Sequence, residues 1–146
     1  MPSRRSETVG YLASFAGRLF IRALERRIQP HGLYPGQLPP LLCLWEREGI
    51  SQAELCRLVQ VEQPTMANTL NRMERDDLIR RLPDPRDRRR ALVYLTDRAR
   101  ALEEPVMKAT ELVNALATDG LSGDEREEFR RLMDKLVENL ERDSES

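Results

Sequence analysis

The segment Leu82-Pro83-Asp84-Pro85-Arg86-Asp87-Arg88-Arg89-Arg90 gathers side chains suited to one kind of chemistry, the capture of a polyanion. The guanidinium groups of Arg86, Arg88, Arg89 and Arg90 are permanently charged and present donors in a planar fork that matches phosphate oxygens. Pro83 and Pro85 exclude a helix, and Asp84 and Asp87 favour a turn. The flanking runs Leu78-Ile79 and Leu92-Val93-Tyr94-Leu95 alternate well enough to pair as strands, so the arginines fall at the tip of a β-hairpin. A second group lies upstream, where Gln63, Pro64, Thr65, Asn68 and Arg72 open and line a predicted helix. Gln and Asn can bond adenine bidentately, Thr offers a hydroxyl and a methyl for thymine, and a helix N-terminus suits a phosphate. Each group taken alone also reads as ordinary solvated surface.

The net charge of −1 conceals a division along the chain. Arg80 to Arg90 carries six arginines and two aspartates, net +4, whereas Asp119 to Ser146 carries ten acids and five bases, net −5. A focused basic segment of this kind binds a polyanion locally while the acidic end stays away from it. The 146 residues, 40% hydrophobic and 34% charged, suit one globular domain or a small domain with an oligomerisation element. No apolar run approaches the roughly 18–20 residues of a membrane span. Ser3-Arg4-Arg5-Ser6 lacks the apolar region of a signal peptide, so a cytoplasmic protein without membrane association is expected. Two cysteines and one histidine argue against a disulfide framework and against a structural metal. There is no Gly-rich phosphate loop, nucleophile elbow or metal-binding helix motif, so no catalytic residue and no cofactor is expected.

Hydrophobic spacing sets out the elements that must position these groups. Leu12, Phe15, Ala16, Leu19, Ala23 and Ile28 predict a long amphipathic helix from Ser6 to Ile28, broken by Gln29-Pro30-His31-Gly32. A second helix is seeded by Pro35 and runs through Leu38, Leu41, Leu42 and Trp45 to Gly49, with Pro39-Pro40 able to delay its start by a turn. Ser51 and Glu54 make a capping box for a third helix, whose inner face is Leu55, Leu58 and Val59. A fourth begins near Pro64 and turns Met66, Leu70 and Met73 inward. After the hairpin, Leu95-Thr96-Asp97 caps a fifth helix carrying Ala99, Leu102, Val106, Ala109, Leu112, Val113 and Leu116, kinked at Pro105 and ended by Asp119-Gly120. Ser122 and Glu125 box a last helix with an unbroken stripe of Phe129, Leu132, Met133, Leu136, Val137 and Leu140, and Arg142 to Ser146 read as a disordered tail.

The order of short helix, turn, second short helix and β-hairpin is that of a winged helix-turn-helix. The expected fold is mainly α with a small β-hairpin wing, a winged helix-turn-helix flanked by N- and C-terminal dimerisation helices. The fourth helix would enter the major groove of DNA while the arginine-tipped wing reaches the neighbouring minor groove. Asp87 would hold a neighbouring guanidinium so that the wing keeps its shape. The first and last helices are each too apolar on one side for the small winged core to cover both. That points to a two-fold dimer, or to the two helices packing on each other within one chain.

These residues resemble the MarR family of bacterial transcription regulators from about Val9 to Leu140. The resemblance rests on Leu33-Tyr34-Pro35-Gly36-Gln37, Ser51-Gln52-Ala53-Glu54-Leu55, Val61-Glu62-Gln63-Pro64-Thr65-Met66 and Arg75-Asp76-Asp77-Leu78-Ile79. Above all it rests on Asp84-Pro85-Arg86-Asp87-Arg88-Arg89 followed by Leu95-Thr96. It implies a regulator, expected to be a repressor, acting as a homodimer with interlocked first, fifth and sixth helices on a pseudo-palindromic double-stranded DNA operator. The implied division of the single chain 1–146 is a winged DNA-binding region at 33–96 and a dimerisation region at 6–30 and 97–142. The family's Asp-x-Arg wing signature maps onto Asp87 and Arg89, with Arg86 and Arg88 as further contacts. The chain departs from the commoner pattern at Asn68, where a basic residue is frequent, and at Ala67, where serine is frequent. At Asp77 glycine is usual, and aspartate tolerates positive φ better than most residues. The resemblance further implies release by a small aromatic, anionic effector, with Arg18, His31, Tyr34 and Trp45 near the expected cleft. Each of the four also reads plainly as surface base, loop residue, turn anchor and core residue, respectively. The alternative within the same fold is a cysteine-based redox sensor. For that role Cys43 lies in an apolar helix, while Cys56 adjoins Arg57, whose charge lowers a thiol pKa where the thiol is exposed.

Overall fold

A computed structural model gives the structure of the chain and describes residues 7–146. Residues Ser3 to Ser6, including the expected first residue of the N-terminal helix, lie outside the described residues. The elements are helix α1 (Val9–Ile28), helix α2 (Leu38–Glu46), strand β1 (Ile50–Ser51), helix α3 (Gln52–Val59) and helix α4 (Gln63–Arg75). Strands β2 (Ile79–Asp84) and β3 (Asp87–Leu95), then helices α5 (Asp97–Ala117) and α6 (Gly123–Ser144), follow. The fold is thus mainly α with a small antiparallel sheet in the order β1-β3-β2, the winged helix-turn-helix expected. By backbone contacts the chain divides into a unit running through Glu111 and a second from Leu112 to Ser146.

In the first unit, a core of Leu33, Leu41, Leu44, Ile50, Leu55, Met66, Leu70, Met73, Leu78, Ile79, Val93 and Val106 is closed to solvent. Burying side chains of this size contributes about 1.5–3 kcal/mol each, which makes this cluster the main cohesive term of the unit. Pro39 and Pro40 fall in the first turn of α2, whose missing amide donors cost least there, and a 3-10 turn at Pro35–Gln37 occupies the residues before it. The proline pair therefore delays the α-helix to Leu38. Leu58, expected inside, is 45% exposed, because the short α3 turns only Leu55 fully into the core.

Ser51 Oγ accepts the Glu54 N–H at 3.2 Å, but the Glu54 carboxylate turns to Arg57, so only half of the expected capping box forms. Ser51 is also the end of β1, which pairs Ile50 with Val93. Just before it, Gly49 has φ +75°, and a Cβ there would press on the Tyr94 ring at 3.2–3.3 Å, while its N–H bonds Val93 O at 2.8 Å. The hairpin strands pair Ile79 with Leu95 and Arg81 with Val93, and extend through the arginine run itself as far as Asp84 and Asp87. Helix α5 continues through Pro105.

In the second unit, Ser122 and Glu125 form a complete capping box, with bonds of 2.9 and 3.1 Å. Helix α6 runs on to Ser144, past the point where a disordered tail was expected, and ion pairing of Glu128 with Arg131 supports its polar face. Phe129, Leu132, Met133, Val137 and Leu140 are all exposed along it.

Candidate nucleic-acid interface

The turn between α3 and α4 is tight because Gln60 adopts φ +61° and its N–H returns to Cys56 O at 2.8 Å. Helix α4 then begins at Gln63, with Pro64 in its first turn. Met66, Leu70 and Met73 are buried, which leaves Gln63, Pro64, Thr65, Asn68 and Arg72 exposed on its outer side. No acid lies in the first turn of α4, and the N-cap Glu62 makes no side-chain bond to its amides, whose N–H groups are left without a side-chain cap.

The wing is braced at both ends. At its tip, Asp84 Oδ1 accepts the Arg86 N–H at 2.9 Å, and Asp87 Oδ1 accepts both the N–H and the Nε of Arg89 at 3.1 Å. The Arg89 hydrogen bond holds the Asp87 carboxyl below the usual carboxylate range, so the brace stays charged through neutral pH. Arg86, Arg88, Arg89 and Arg90 are exposed. At the wing's base, Arg81 bonds Asn71 and Glu74 of α4 and lowers the Glu74 pKa. Asp77 has φ +57°, its carbonyl accepts the Thr96 hydroxyl at 2.7 Å, and Thr96 Oγ1 caps α5 by accepting the Ala99 N–H. Aspartate thus fills the left-handed position directly.

Two clefts flank this surface. One, of about 360 Å³, lies between the start of α3, the start of α4 and the wing, and its lining includes Gln52, Gln63, Arg81, Arg89 and Arg90 without any acid. The other, of about 450 Å³, is lined by Tyr34, Gln37, Thr69, Arg72, Arg75 and Asp76. Gln37 Nε2 spans to Asp76 Oδ2 at 2.9 Å there. Gln52 and Arg81 line the smaller cleft, a placement that local sequence pattern does not single out. Strand register was the missing signal, since it decides which residues of the basic segment face α4.

Of the four effector candidates, one lines a cleft described above. Tyr34 lines the larger cleft, whose lining does not include Arg18, His31 or Trp45. Arg18 lies 5.7 Å over the Phe15 ring, the His31 carbonyl accepts from Arg98, and Trp45 donates to Ala99 O at 3.0 Å beside the core. Both thiols are pushed up by burial, with Glu46 acting on Cys43 and Glu62 on Cys56. Arg57, the expected activator of Cys56, is instead held by Glu54 at 2.6 Å. These environments favour the unreactive thiol form. No helix among the described residues is long and apolar enough to cross a membrane.

Helix α4 tied to a β-hairpin wing, with exposed carboxamides on one and exposed guanidiniums on the other, is the arrangement of a winged-helix DNA-binding protein. The sequence model of the MarR family matches residues 33–91. The transcriptional repressor NicR of Pseudomonas putida is 27% identical over 136 residues, covering 93% of this chain and 86% of NicR. A solved structure of MarR is 30% identical with a TM-score of 0.79, over 90% of this chain and 96% of that one. BpsR of Bordetella bronchiseptica, whose DNA binding is regulated by 6-hydroxynicotinic acid, is 27% identical with a TM-score of 0.83, over 94% and 98%. The chain belongs to the MarR family and is a DNA-binding transcriptional regulator, not an enzyme.

Proposed function

We propose that the chain acts as a homodimeric repressor on a pseudo-palindromic operator, with α4 in the major groove and the wing in the adjacent minor groove. Gln63, Pro64, Thr65 and Asn68 meet base edges, Arg72 follows a turn later, and Arg86, Arg88 and Arg89 meet the minor groove or phosphates around a wing shaped by Asp87. The observation that carries this reading is the tie of Arg81 to Asn71 and Glu74, which makes helix and wing one docking body. The exposed faces of α1, α5 and α6, from Leu12, Phe15 and Leu19 to Leu112 and Leu132, supply the dimer contacts. A two-fold dimer then sets its half-sites about 34–36 Å apart. Within this division, 33–96 carries DNA contact and 6–30 with 97–142 carries dimerisation.

The test is binding of duplexes selected by the protein from a random pool, measured against salt. Log affinity should fall linearly with log salt, and joint Arg88→Ala and Arg89→Ala should shrink the slope by about 0.9 for each phosphate that is no longer neutralised. Absence of binding at low salt would sink the reading. Release by a small aromatic acid is supported by the likeness to BpsR, and by arginines and Tyr34 at the larger cleft. Release of labelled operator on titration with aromatic acids reads this directly, and unchanged operator affinity in saturating aromatic acids would remove this part.

A further inference from the structure

Gln63 occupies the first position of the reading helix, and it does not stand there alone. Its Oε1 accepts a hydrogen bond of 3.0 Å from Nε2 of Gln52, the first residue of α3. The two residues lie eleven apart in sequence and are joined across the inter-helix turn that Gln60 closes. The backbone that carries Gln52 is fixed, because the preceding Ser51 is both buried in the sheet and the N-cap of α3.

An exposed glutamine ordinarily samples several rotamers and both senses of its terminal amide, and that freedom must be lost before it can read a base. The Gln52 donor removes it in a particular way. A carboxamide oxygen has two lone pairs and the nitrogen two N–H groups. With one lone pair taken by Gln52, Gln63 keeps one acceptor and both donors side by side in one plane. That is the complement of the N6 donor and N7 acceptor of adenine in the major groove. The opposite amide sense requires the Gln52 carboxamide to turn over with it, so that the two amides change sense as a pair and Gln63 cannot turn alone without setting donor against donor.

The setting supplies the reason for a base edge to arrive there. The pair forms one wall of the acid-free cleft whose other side carries Arg81, Arg89 and Arg90. Arg81 and Arg89 are held by Glu74 and Asp87, while the Arg90 side chain has no hydrogen-bond partner among the described residues. A DNA strand drawn between α4 and the wing therefore passes beside the Gln52–Gln63 pair.

We propose that Gln52 is a positioning residue for operator specificity, holding the Gln63 carboxamide in the sense that reads adenine. The inference rests on the reading of α4 as the base-contacting helix, with Gln63 touching a base. Gln52 acts through Gln63 and not by touching the base itself.

The experiment uses the full chain and duplexes that the wild-type protein selects from a random-sequence pool, with every base pair then varied singly. Gln63→Ala should erase the preference at one base pair in each half-site. Gln52→Ala should weaken the preference at that same base pair by about three- to tenfold, the scale of one net hydrogen bond, with random-duplex affinity and melting temperature unchanged. In the double variant Gln52→Ala should have no further effect. Gln52→Glu offers only acceptors, so Gln63 must turn its Nε2 inward and its Oε1 outward, and the preferred base at that position should change. If Gln63→Ala erases no preference, the base-reading role of Gln63 fails and this proposal with it. If Gln63→Ala erases one but Gln52→Ala leaves it intact, adds to it in the double variant, or weakens all duplexes equally, the positioning role alone is overturned.

Discussion

Arg81 on β2 and Glu74 on α4 are joined by two contacts, Nε to Oε2 at 3.4 Å and Nη2 to Oε1 at 3.3 Å. The same Nη2 bonds Asn71 Oδ1 at 2.7 Å, so one guanidinium grips the reading helix at two positions a turn apart. Side-chain exposures of 25% and 41% leave the ion pair well screened, so Arg81→Met should cost less than about 1 kcal/mol of stability. The hydrogen bond from Arg81 lowers the Glu74 pKa, and a depressed carboxylate stabilises the fold above its unfolded pKa and loses that contribution as pH falls through the folded value. Urea melts of wild type and variant should therefore differ by a constant amount above about pH 5 and converge in more acidic solution. A difference that persists or grows in acid would dissociate the effect from Glu74. Because the grip also sets the wing against α4, the variant should lose more affinity for a selected duplex than for a random one.

Under the proposed docking, Asp87 puts a negative charge on the surface that faces DNA, which long-range electrostatics alone would disfavour. Its Oδ1 holds both the N–H and the Nε of Arg89. Asp87→Ala should accordingly move the two kinds of DNA in opposite directions. Random duplex should bind as well as before or slightly better, since a repulsive charge is gone. The selected duplex should bind more weakly, with its advantage over random DNA reduced by about five- to tenfold, because the arginine is no longer held in one geometry. Competition between labelled selected duplex and unlabelled random duplex reads this ratio directly. Parallel strengthening of both would mean that Asp87 has no bracing role.

What was legible in the chain followed from period and punctuation. Met66, Leu70 and Met73 gave the buried face of α4, and with it the outward face by elimination. The prolines and aspartates from Pro83 to Asp87 located the wing tip, and Ser122 with Glu125 located the start of α6. What escaped depended on pairing between segments distant in sequence. Strand β1 has two residues, too few to show alternation, and exists because Ile50 meets Val93. The inward turn of Arg81 follows from hairpin register, which no local pattern encodes. Glu54 carried the capping-box spacing, yet a nearer arginine, Arg57, claimed its carboxylate. The Gln52–Gln63 bond joins two helices through a turn whose geometry is set by Gln60, a residue type with no particular preference for positive φ.

Asp77 offers a test of backbone strain at the base of the wing. Its φ of +57° places an L-residue in the left-handed region, while its side chain reaches Arg80 at 3.2 Å on an exposed surface. Asp77→Gly removes the steric cost and a screened ion pair of little worth, so stability should change by less than about 0.5 kcal/mol. Asp77→Val places a β-branched residue there and should cost about 1–2 kcal/mol or more. The Asp77 carbonyl accepts from Thr96 and the Leu78 carbonyl accepts the Thr96 N–H, so the strain would be felt where α5 begins. Chemical denaturation of the two variants checks the order; a destabilising glycine and a tolerated valine would refute the backbone argument.

The exposed stripe on α6 bears on assembly. Phe129 is 57% exposed and Leu132 50%, on a helix whose other positions are mostly charged. An apolar stripe of this length is costly in water, and the proposed homodimer gives it a partner surface. Under the homodimer reading, Leu132→Asp places a charge within the subunit contact and should shift the sedimenting mass from dimer to monomer. A monomer keeps the wing and α4 but engages one half-site, so affinity for a two-half-site duplex should fall by at least about a hundredfold as avidity disappears. Affinity for a single half-site should be unchanged. Far-UV circular dichroism guards against simple unfolding of α6, and Glu127→Ala, on the same helix, should leave mass and affinity as they were. A Leu132→Asp protein that still sediments as the dimer with full operator affinity would place the subunit contact elsewhere.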